Sequence, residues 1–314
     1  MAYALYKTGR AHLLAWKALM AEGDGVVSEK SWRGAKSWRA ALAGAERELA
    51  AAGVPSPRVD AELLAAHVLR VPRSRLIALG EVPPDPAALT EFRELIARRT
   101  SRIPLQYLLG TAPMGPVDVA VGPGVFVPRL ETELLLEWGL RAIAGITAPT
   151  VVDLCTGSGA LALAVAVSRP DAAVHAVELD PTALGWAGKN LGDRANLVAG
   201  DVTDAELLPE LHGRVDLVLA NPPYVPEATP VPPEVADYDP PRAVFAGPDG
   251  LAVIRPMVML AIRLLRPGGA LAIEHDDSQA ASAPAALAAH PELVDVREHP
   301  DLAGRPRFVT GSRV

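Results

Sequence analysis

The stretch of the chain that is most informative about chemistry is Asn221-Pro222-Pro223-Tyr224. It follows residues 215–220, an apolar run of strand length, and the two prolines end that strand because neither can donate to a sheet ladder. Asn221 is therefore predicted at the carboxyl end of a strand, where open α/β sheets bind ligands. The Asn221 amide oxygen and the Pro222 carbonyl can each accept one N–H, while the Tyr224 ring covers a planar face. The pattern favours a site for a flat NH2 group; a proline turn without function is the alternative.

A glycine-rich turn precedes this tetrapeptide in the chain. Residues 151–154 are predicted as a buried strand, and Cys155-Thr156-Gly157-Ser158-Gly159 turns from it into a helix. Glu178 ends the next predicted strand, at the spacing of about twenty residues that suits a carboxylate accepting from both hydroxyls of a ribose. Asp201 ends the strand after that, where an adenine amino group can be read. Position 162 is alanine, which argues against the G-x-G-x-x-G of a dinucleotide enzyme.

These residues require a sheet that brings strand ends together. Strands alternate with helical segments after residue 150, which predicts an α/β fold with a doubly wound, mostly parallel seven-stranded sheet. The predicted strands are 151–154, 174–177, 197–199, 215–220, 270–273, 294–297 and 307–310. The last two are expected to form a closing hairpin.

Four segments are predicted along the chain. Residues 1–35 are expected to be a poorly ordered extension, and residues 36–110 carry helical periodicity, with the third helix beginning at Leu89. Residues 111–128 are predicted as a linking β-hairpin whose strands, 117–121 and 125–127, flank a turn at Gly122-Pro123-Gly124. Residues 129–314 form the main domain and open with a helix that extends to about Ala144.

Composition excludes several classes of protein. The net charge of −7 and the lack of a basic tail argue against a protein that binds nucleic acid directly. The single cysteine excludes an internal disulfide and a cysteine-based zinc site, and no cluster of metal ligands stands out. No apolar run reaches the roughly 18 residues of a membrane helix. Charged residues interrupt the apolar amino terminus, which argues against a secretory signal, so a cytoplasmic protein without membrane contact is expected.

The motifs described so far resemble those of class I S-adenosylmethionine-dependent methyltransferases that act on planar NH2 groups, and more narrowly the release factor glutamine methyltransferase (HemK/PrmC) family. The resemblance covers residues 40–314. Further matching motifs are Ile103–Tyr107, Val127–Glu133, Tyr238–Pro240, Gly247–Leu251 and Asp301–Arg305. Three residues depart from the family pattern: Cys155 replaces a glycine, Leu130 a proline and Met114 an aromatic residue.

The resemblance implies that S-adenosyl-L-methionine is the cofactor, held by Cys155–Gly159, Glu178, Asp201, Val202 and Asn221. It implies catalytic roles for Asn221, Pro222 and Tyr224, with Pro223 completing the substrate-binding turn. The expected reaction is N5-methylation of the glutamine in the Gly-Gly-Gln loop of class 1 peptide chain release factors, with residues 36–110 recognising the substrate.

Three alternatives remain open. A glutamine methyltransferase that acts on a ribosomal protein uses the same chemistry. A DNA adenine or cytosine N-methyltransferase uses the same tetrapeptide on a flipped base, but its target domain should be basic. A non-catalytic cofactor-binding protein is disfavoured because Asn221 and the glycines are intact.

Overall fold

The structure is a computed structural model that describes residues 35–314. The extension predicted over residues 1–35 lies outside the described residues except for its last position. The chain divides into two compact units, one ending at Ser101 and the other spanning Arg102–Val314. Residues 102–110 belong to the second unit because Tyr107 donates its hydroxyl to the Val125 carbonyl at 2.8 Å and Val121 N–H donates to the Gly110 carbonyl. The functional boundary placed at residue 110 stays a prediction.

The first unit is a small helical bundle, as its periodicity predicts. Its helices are α1 (Trp38–Ala51), α2 (Pro57–Leu69), α3 (Leu76–Leu79) and α4 (Pro86–Thr100). The third long helix begins before the predicted Leu89, because the Asp85 carboxylate accepts from the main-chain N–H groups of Ala87 and Ala88, and Pro86 occupies the first turn. The rings of Trp38 and Phe92 pack edge to face in its core, with centroids 5.6 Å apart.

The hairpin of the second unit differs from the prediction. After a short helix, α5 (Leu105–Leu109), strands β1 (Thr111–Met114) and β2 (Val117–Ala120) pair antiparallel around a turn at Gly115-Pro116. The prediction of a second strand at residues 125–127 was wrong. Val127 donates its N–H to the Asp239 carboxylate, and the flanking prolines 123 and 128 have no N–H to donate, so this segment is a loop.

The rest of the second unit forms the predicted doubly wound domain. Its strands are β3 (Thr150–Leu154), β4 (Ala173–Glu178), β5 (Asn196–Ala199), β6 (Val215–Ala220), β7 (Leu265–Glu274), β8 (Leu293–Pro300) and β9 (Pro306–Arg313). Its helices are α6 (Thr132–Ala142), α7 (Ala160–Ser168), α8 (Pro181–Leu191), α9 (Pro233–Tyr238), α10 (Pro241–Val244), α11 (Ile254–Leu264) and α12 (Ser282–Ala288). Helix α6 begins later than the predicted Arg129, since residues 129–131 form a turn.

The seven strands are ordered β5-β4-β3-β6-β7-β9-β8. Strands β3 to β7 are parallel, and β9 and β8 pair antiparallel as the predicted closing hairpin. The chain runs from β3 outward to β5, then returns to place β6 on the other side of β3. The crevice between β3 and β6 is the topological switch point, where sheets of this kind bind ligands.

Apolar side chains cover both faces of the sheet. Helices α6, α7 and α8 pack on one face, while α11 and α12 pack on the other. Gly139 of α6 allows a close approach to the sheet, because a Cβ there would lie 2.9 Å from the Leu219 side chain. The fully buried strands are thereby fixed in register, and the residues that follow their carboxyl ends share one edge.

Candidate active site

A cavity of about 330 Å³ lies at the carboxyl edge of the parallel strands. Residues at the ends of β3, β4, β5 and β6 line it, together with the loop 124–128 and the segment 240–245, which contains the short helix α10. Phe126, Pro128 and Phe245 supply an apolar wall. An ion pair between Arg129 and the buried Asp239 joins the residues next to these two segments. The cavity therefore has a polar edge formed by strand ends and an apolar cover formed by the two segments.

The glycine-rich turn leaves β3 in a backbone conformation that ordinary residues avoid. Gly157 and Gly159 have φ values of +58° and +82°. Space beside Gly157 is open, whereas a Cβ at Gly159 would lie 3.0 Å from the Leu191 side chain. Thr156 and Ser158 are buried in the same turn, and the Thr156 N–H donates to the Val177 carbonyl at 2.9 Å. The turn is thus locked to β4 and brings main-chain groups to the cavity.

Cys155 also has a left-handed backbone, with φ of +61°. Glycine adopts this conformation without strain, while a residue with a Cβ does not. Burial, with the nearby carboxylates of Glu178, Asp153 and Asp201, raises the pKa of the Cys155 thiol well above its usual range. The thiol is therefore protonated at neutral pH and is not an activated nucleophile.

Asp153 lines the cavity and carries a buried carboxylate whose two oxygens have different surroundings. Its Oδ2 accepts from the Thr156 hydroxyl at 2.5 Å and from the Ala162 N–H at 3.1 Å. Its buried Oδ1 has no hydrogen-bond partner within residues 35–314. Burial raises the pKa of Asp153 to about 7. A buried acceptor of this kind suits a cationic ligand group that desolvation leaves without water.

Glu178 is held by main-chain donors at the end of β4. Its carboxylate accepts from the N–H groups of Gly157 at 2.8 Å, Leu179 at 2.9 Å and Asp180 at 2.8 Å. A carboxylate has about four lone-pair positions, so these contacts leave room for one further donor. With these three bonds in place, Glu178 can accept a hydrogen bond from one ribose hydroxyl. Accepting from both hydroxyls, as the sequence predicts, requires one main-chain bond to break.

Asp201 and Val202 follow β5 at the far end of the cavity. Asp201 Oδ1 accepts from the Thr203 N–H at 2.9 Å and from the Thr203 hydroxyl at 2.7 Å. The main-chain bond first, and then the hydroxyl, lower the pKa of Asp201, so it is ionised at neutral pH. Val202 is buried and adds an apolar surface beside that carboxylate. This pair can hold the edge of an aromatic base.

Asn221 lies directly beside the glycine-rich turn, because Leu154 of β3 is in register with Ala220 of β6. Its Nδ2 donates to the Thr132 hydroxyl at 3.1 Å. Within the described part of the chain, no residue donates to Asn221 Oδ1, and the side chain lines the cavity. The amide oxygen is therefore available to a ligand.

The other residues of the tetrapeptide have different surroundings. Pro223 lines the cavity with Asn221, whereas Pro222 is buried. Tyr224 is directed behind the cavity and donates its hydroxyl to Glu274 Oε1 at 2.8 Å. The Tyr224 carbonyl accepts from Gln279 Nε2 at 2.9 Å, and a Cβ at Gly250 would lie 2.0 Å from the same carbonyl oxygen. Gly250 and Gln279 thus fix the turn from behind.

Sequence reasoning missed three polar residues of this edge as functional residues. Asp153 was identified only as part of the predicted strand 151–154, while Thr132 lies inside a matching motif, Val127–Glu133. Glu274 follows the same strand-end rule that identified Glu178 and Asp201, since it ends β7 beside Asn221.

Among residues 35–314, no three His, Cys, Asp or Glu side chains converge as a metal ion requires. No described helix has the length and apolar character needed to cross a membrane.

Comparison with known proteins gives matches in both units. Residues 40–110 match the PrmC N-terminal domain, and residues 119–232 match the Methyltransferase small domain. A release factor glutamine methyltransferase of Mycolicibacterium smegmatis is 54% identical over 277 residues, which are 88% of this chain and 98% of that protein. A release factor glutamine methyltransferase of Corynebacterium glutamicum is 48% identical over 280 residues, covering 87% and 98% of the two chains.

Among solved structures, the T. thermophilus 16S rRNA N2 G1207 methyltransferase (RsmC) in complex with AdoMet and guanosine matches with a TM-score of 0.48. It is 20% identical over 65% of this chain and 50% of that chain.

A parallel sheet with this strand order, its glycine-rich turn at the switch point and acidic residues after the next two strands define a class I methyltransferase that uses S-adenosyl-L-methionine. The Mycolicibacterium smegmatis and Corynebacterium glutamicum relatives described above align with both units of the chain, and both belong to one family within that class. The chain belongs to the release factor glutamine methyltransferase family.

The left-handed backbone at Cys155 leads to a prediction about its replacement. Cys155→Gly removes the steric cost of a Cβ at positive φ, which is about 1–2 kcal/mol, although glycine also gains freedom in the unfolded chain. We expect Cys155→Gly to be as stable as the wild type or more stable, with cofactor affinity kept or improved. Thermal unfolding and calorimetric titration of the cofactor measure both quantities.

Cys155→Ala is the matched control, because it removes the sulfur and keeps the Cβ. We expect it to be less stable than Cys155→Gly. A glycine variant that is folded but unable to support methyl transfer would show that the thiol has a role beyond filling this position.

Proposed function

We propose that this chain transfers a methyl group from S-adenosyl-L-methionine to the side-chain nitrogen of the glutamine in the Gly-Gly-Gln loop of class 1 peptide chain release factors. The observation that carries the proposal is the Asn221 amide, whose nitrogen is anchored to Thr132 while its oxygen is free in the cavity beside the glycine-rich turn. Relatives named release factor glutamine methyltransferase, which align over nearly their whole length, support the choice of substrate.

The residues of the cavity fit the cofactor. S-adenosyl-L-methionine supplies a methyl group on a sulfonium, together with an ammonium, a carboxylate, a ribose and an adenine. The free Oδ1 of Asp153 suits the ammonium, since a buried carboxylate oxygen without a partner favours a cationic donor. Glu178 can accept from a ribose hydroxyl. Asp201 and Val202 can hold the adenine edge, and the open space beside Gly157 leaves room for the ligand.

The remaining residues of the turn complete the cofactor site in this proposal. Thr156, Ser158 and Gly159 shape the main chain between β3 and α7, and Cys155 packs beside Asn221 at the strand ends. Their contribution is geometry, because the turn places the first residues of helix α7, Ala160 and Leu161, at the cavity, where the positive end of the helix dipole favours negative charge.

Asn221 and Pro222 position the acceptor amide. An amide nitrogen is a weak nucleophile because its lone pair is delocalised into the carbonyl. The Asn221 oxygen and the Pro222 carbonyl each accept one N–H of the acceptor, which directs the nitrogen lone pair towards the methyl group. Catalysis then consists mainly of positioning and of stabilising the positive charge that develops on nitrogen. Pro223 forms the adjoining wall, and Tyr224 supports the turn from behind through Glu274.

The alternatives are less well supported by these features. A ribosomal-protein glutamine methyltransferase fits the acceptor site equally well, but the aligned relatives are named for release factors. A DNA N-methyltransferase is disfavoured by the net charge of −7, since DNA binding relies on basic residues.

Residues 36–110 are proposed to recognise the release factor. Because release factors act in translation, the enzyme is proposed to act in the cytoplasm.

Mass spectrometry of a class 1 release factor, incubated with enzyme and S-adenosyl-L-methionine, tests the proposal. We expect one added methyl group on the glutamine of the Gly-Gly-Gln peptide and none on a release factor with that glutamine changed to asparagine. Ribosomal proteins and duplex DNA are incubated in parallel. Methylation of either of these, with an unmodified release factor, would overturn the proposed substrate.

Asp153 gives a prediction about pH. Because its pKa in the free enzyme is raised to about 7, the carboxyl is largely neutral below that pH and cannot pair fully with an ammonium. As the pH rises towards 7, Asp153 ionises and cofactor affinity should rise, by up to about tenfold per pH unit. Asp153→Asn should bind more weakly at pH 7 and lose this dependence, as measured by calorimetry. Equal pH profiles for the two proteins would remove Asp153 from the ammonium site.

A further inference from the structure

Three side chains behind Asn221 form a continuous hydrogen-bonded network. Asn221 Nδ2 donates to the Thr132 hydroxyl at 3.1 Å, and the Thr132 hydroxyl lies 2.7 Å from Glu274 Oε2. The Tyr224 hydroxyl is 2.8 Å from the other oxygen of the same carboxylate. Thr132 and Glu274 are almost completely buried, with 2% and 1% of their surfaces exposed. Water therefore does not compete for these bonds, which makes their direction well determined.

The chemistry of the groups sets the direction of each bond. Both hydroxyls donate to Glu274, one to each oxygen of its carboxylate. Thr132 has a single hydroxyl hydrogen, and once this is donated its oxygen can only accept. The NH2 end of the Asn221 amide must then face Thr132, which turns Oδ1 towards the cavity. The reversed amide would bring two acceptor oxygens together in a buried site.

The environment of Glu274 contains opposing influences on its charge. Burial is the largest of them and raises the pKa of Glu274, and the nearby Glu131 acts in the same direction. The hydrogen bonds from Thr132 and Tyr224 and the positive charge of Arg307 offset part of that rise. The two hydroxyl donors therefore favour the form of Glu274 that accepts through both oxygens, and the network is mutually supporting.

We propose that Thr132 and Glu274 are positioning residues that determine which end of the Asn221 amide faces the acceptor nitrogen. The inference rests on the proposed function, because only an acceptor that brings N–H donors requires the oxygen end. If the Asn221 amide were reversed, the N–H groups of the substrate glutamine would face the NH2 group of Asn221 and find no oxygen to accept their hydrogen bonds. Glutamine methylation would then lose the two-point contact with its nitrogen, while the side chains proposed to hold the cofactor, those of Asp153, Glu178 and Asp201, would be unchanged.

Thr132→Val tests the proposal because valine has nearly the same shape as threonine and cannot accept a hydrogen bond. We expect kcat to fall roughly 10- to 100-fold, the factor that corresponds to one lost bond, with the cofactor Kd within about twofold of wild type. Thr132→Ser, which keeps the hydroxyl, should restore most of the rate. Glu274→Gln should also lower kcat, since its single oxygen cannot accept from both hydroxyls. Thr310→Val, a buried threonine in β9 bonded to His299, is the matched control and should keep the wild-type rate.

A double-mutant cycle separates positioning from general damage to the fold. If Thr132 acts through Asn221, Thr132→Val should have no further effect in an Asn221→Ala background under single-turnover conditions. A loss in that background equal to the loss in the wild-type background would overturn the proposal, as would a wild-type rate for Thr132→Val.

A readout without substrate makes the network testable even if the proposed substrate is wrong. In protein labelled with 15N-asparagine, the Asn221 side-chain NH2 should exchange with solvent slowly in the wild type and in Thr132→Ser, and rapidly in Thr132→Val. Equal exchange in wild type and Thr132→Val would overturn the network itself. A wild-type enzyme with protected Asn221 protons that leaves the release factor unmethylated would overturn the proposed function and, with it, the role assigned to the oxygen end.

Discussion

The parallel pairing of β3 with β6 is the constraint on which the site depends. Leu154 and Ala220 are partners at the ends of these strands, so Cys155 and Asn221 leave the sheet side by side. The chain between them forms two strands on the far side of β3, and only the return crossover makes the pairing possible. The glycine-rich turn and the Asn221–Tyr224 tetrapeptide are neighbours because of this strand order. A shift in the pairing of either strand would separate them and leave each motif intact but without function.

Two buried carboxylates lie near the same edge of the sheet, on the strands that flank β6. Asp153 and Glu274 are each almost fully buried and each accept two hydrogen bonds, yet they differ in what remains free. Asp153 keeps an oxygen to which no residue in the described part of the chain donates, which suits a ligand that carries a positive charge. Glu274 has both oxygens engaged by hydroxyls and supports Asn221 from within the protein. Similar residues on the two strands that flank β6 can therefore serve ligand binding and positioning, according to which donors the fold supplies.

Much of this arrangement could be predicted from the sequence, because strand ends are marked by prolines, glycines and acidic residues. The strands, the glycine-rich turn and the place of Asn221 at a strand end are confirmed. The prediction that residues 125–127 pair with β2 was wrong. A short apolar run does not show whether its N–H groups are bonded to a strand or to a side chain. The sequence pattern also could not predict two contacts, because each joins distant parts of the chain. Tyr224 lies behind the cavity and bonds to Glu274, and Glu178 accepts from the main-chain N–H of Gly157.

Asn221 is proposed to act on the acceptor amide and not on the binding of the cofactor. Calorimetric titration of S-adenosyl-L-methionine and single-turnover methylation of the release factor, both with Asn221→Ala, test this most directly. We expect cofactor affinity within a few-fold of wild type and methyl transfer lowered by at least ~100-fold, the scale of a lost positioning contact. A wild-type rate of transfer, or a loss of transfer fully explained by weaker cofactor binding, would contradict it.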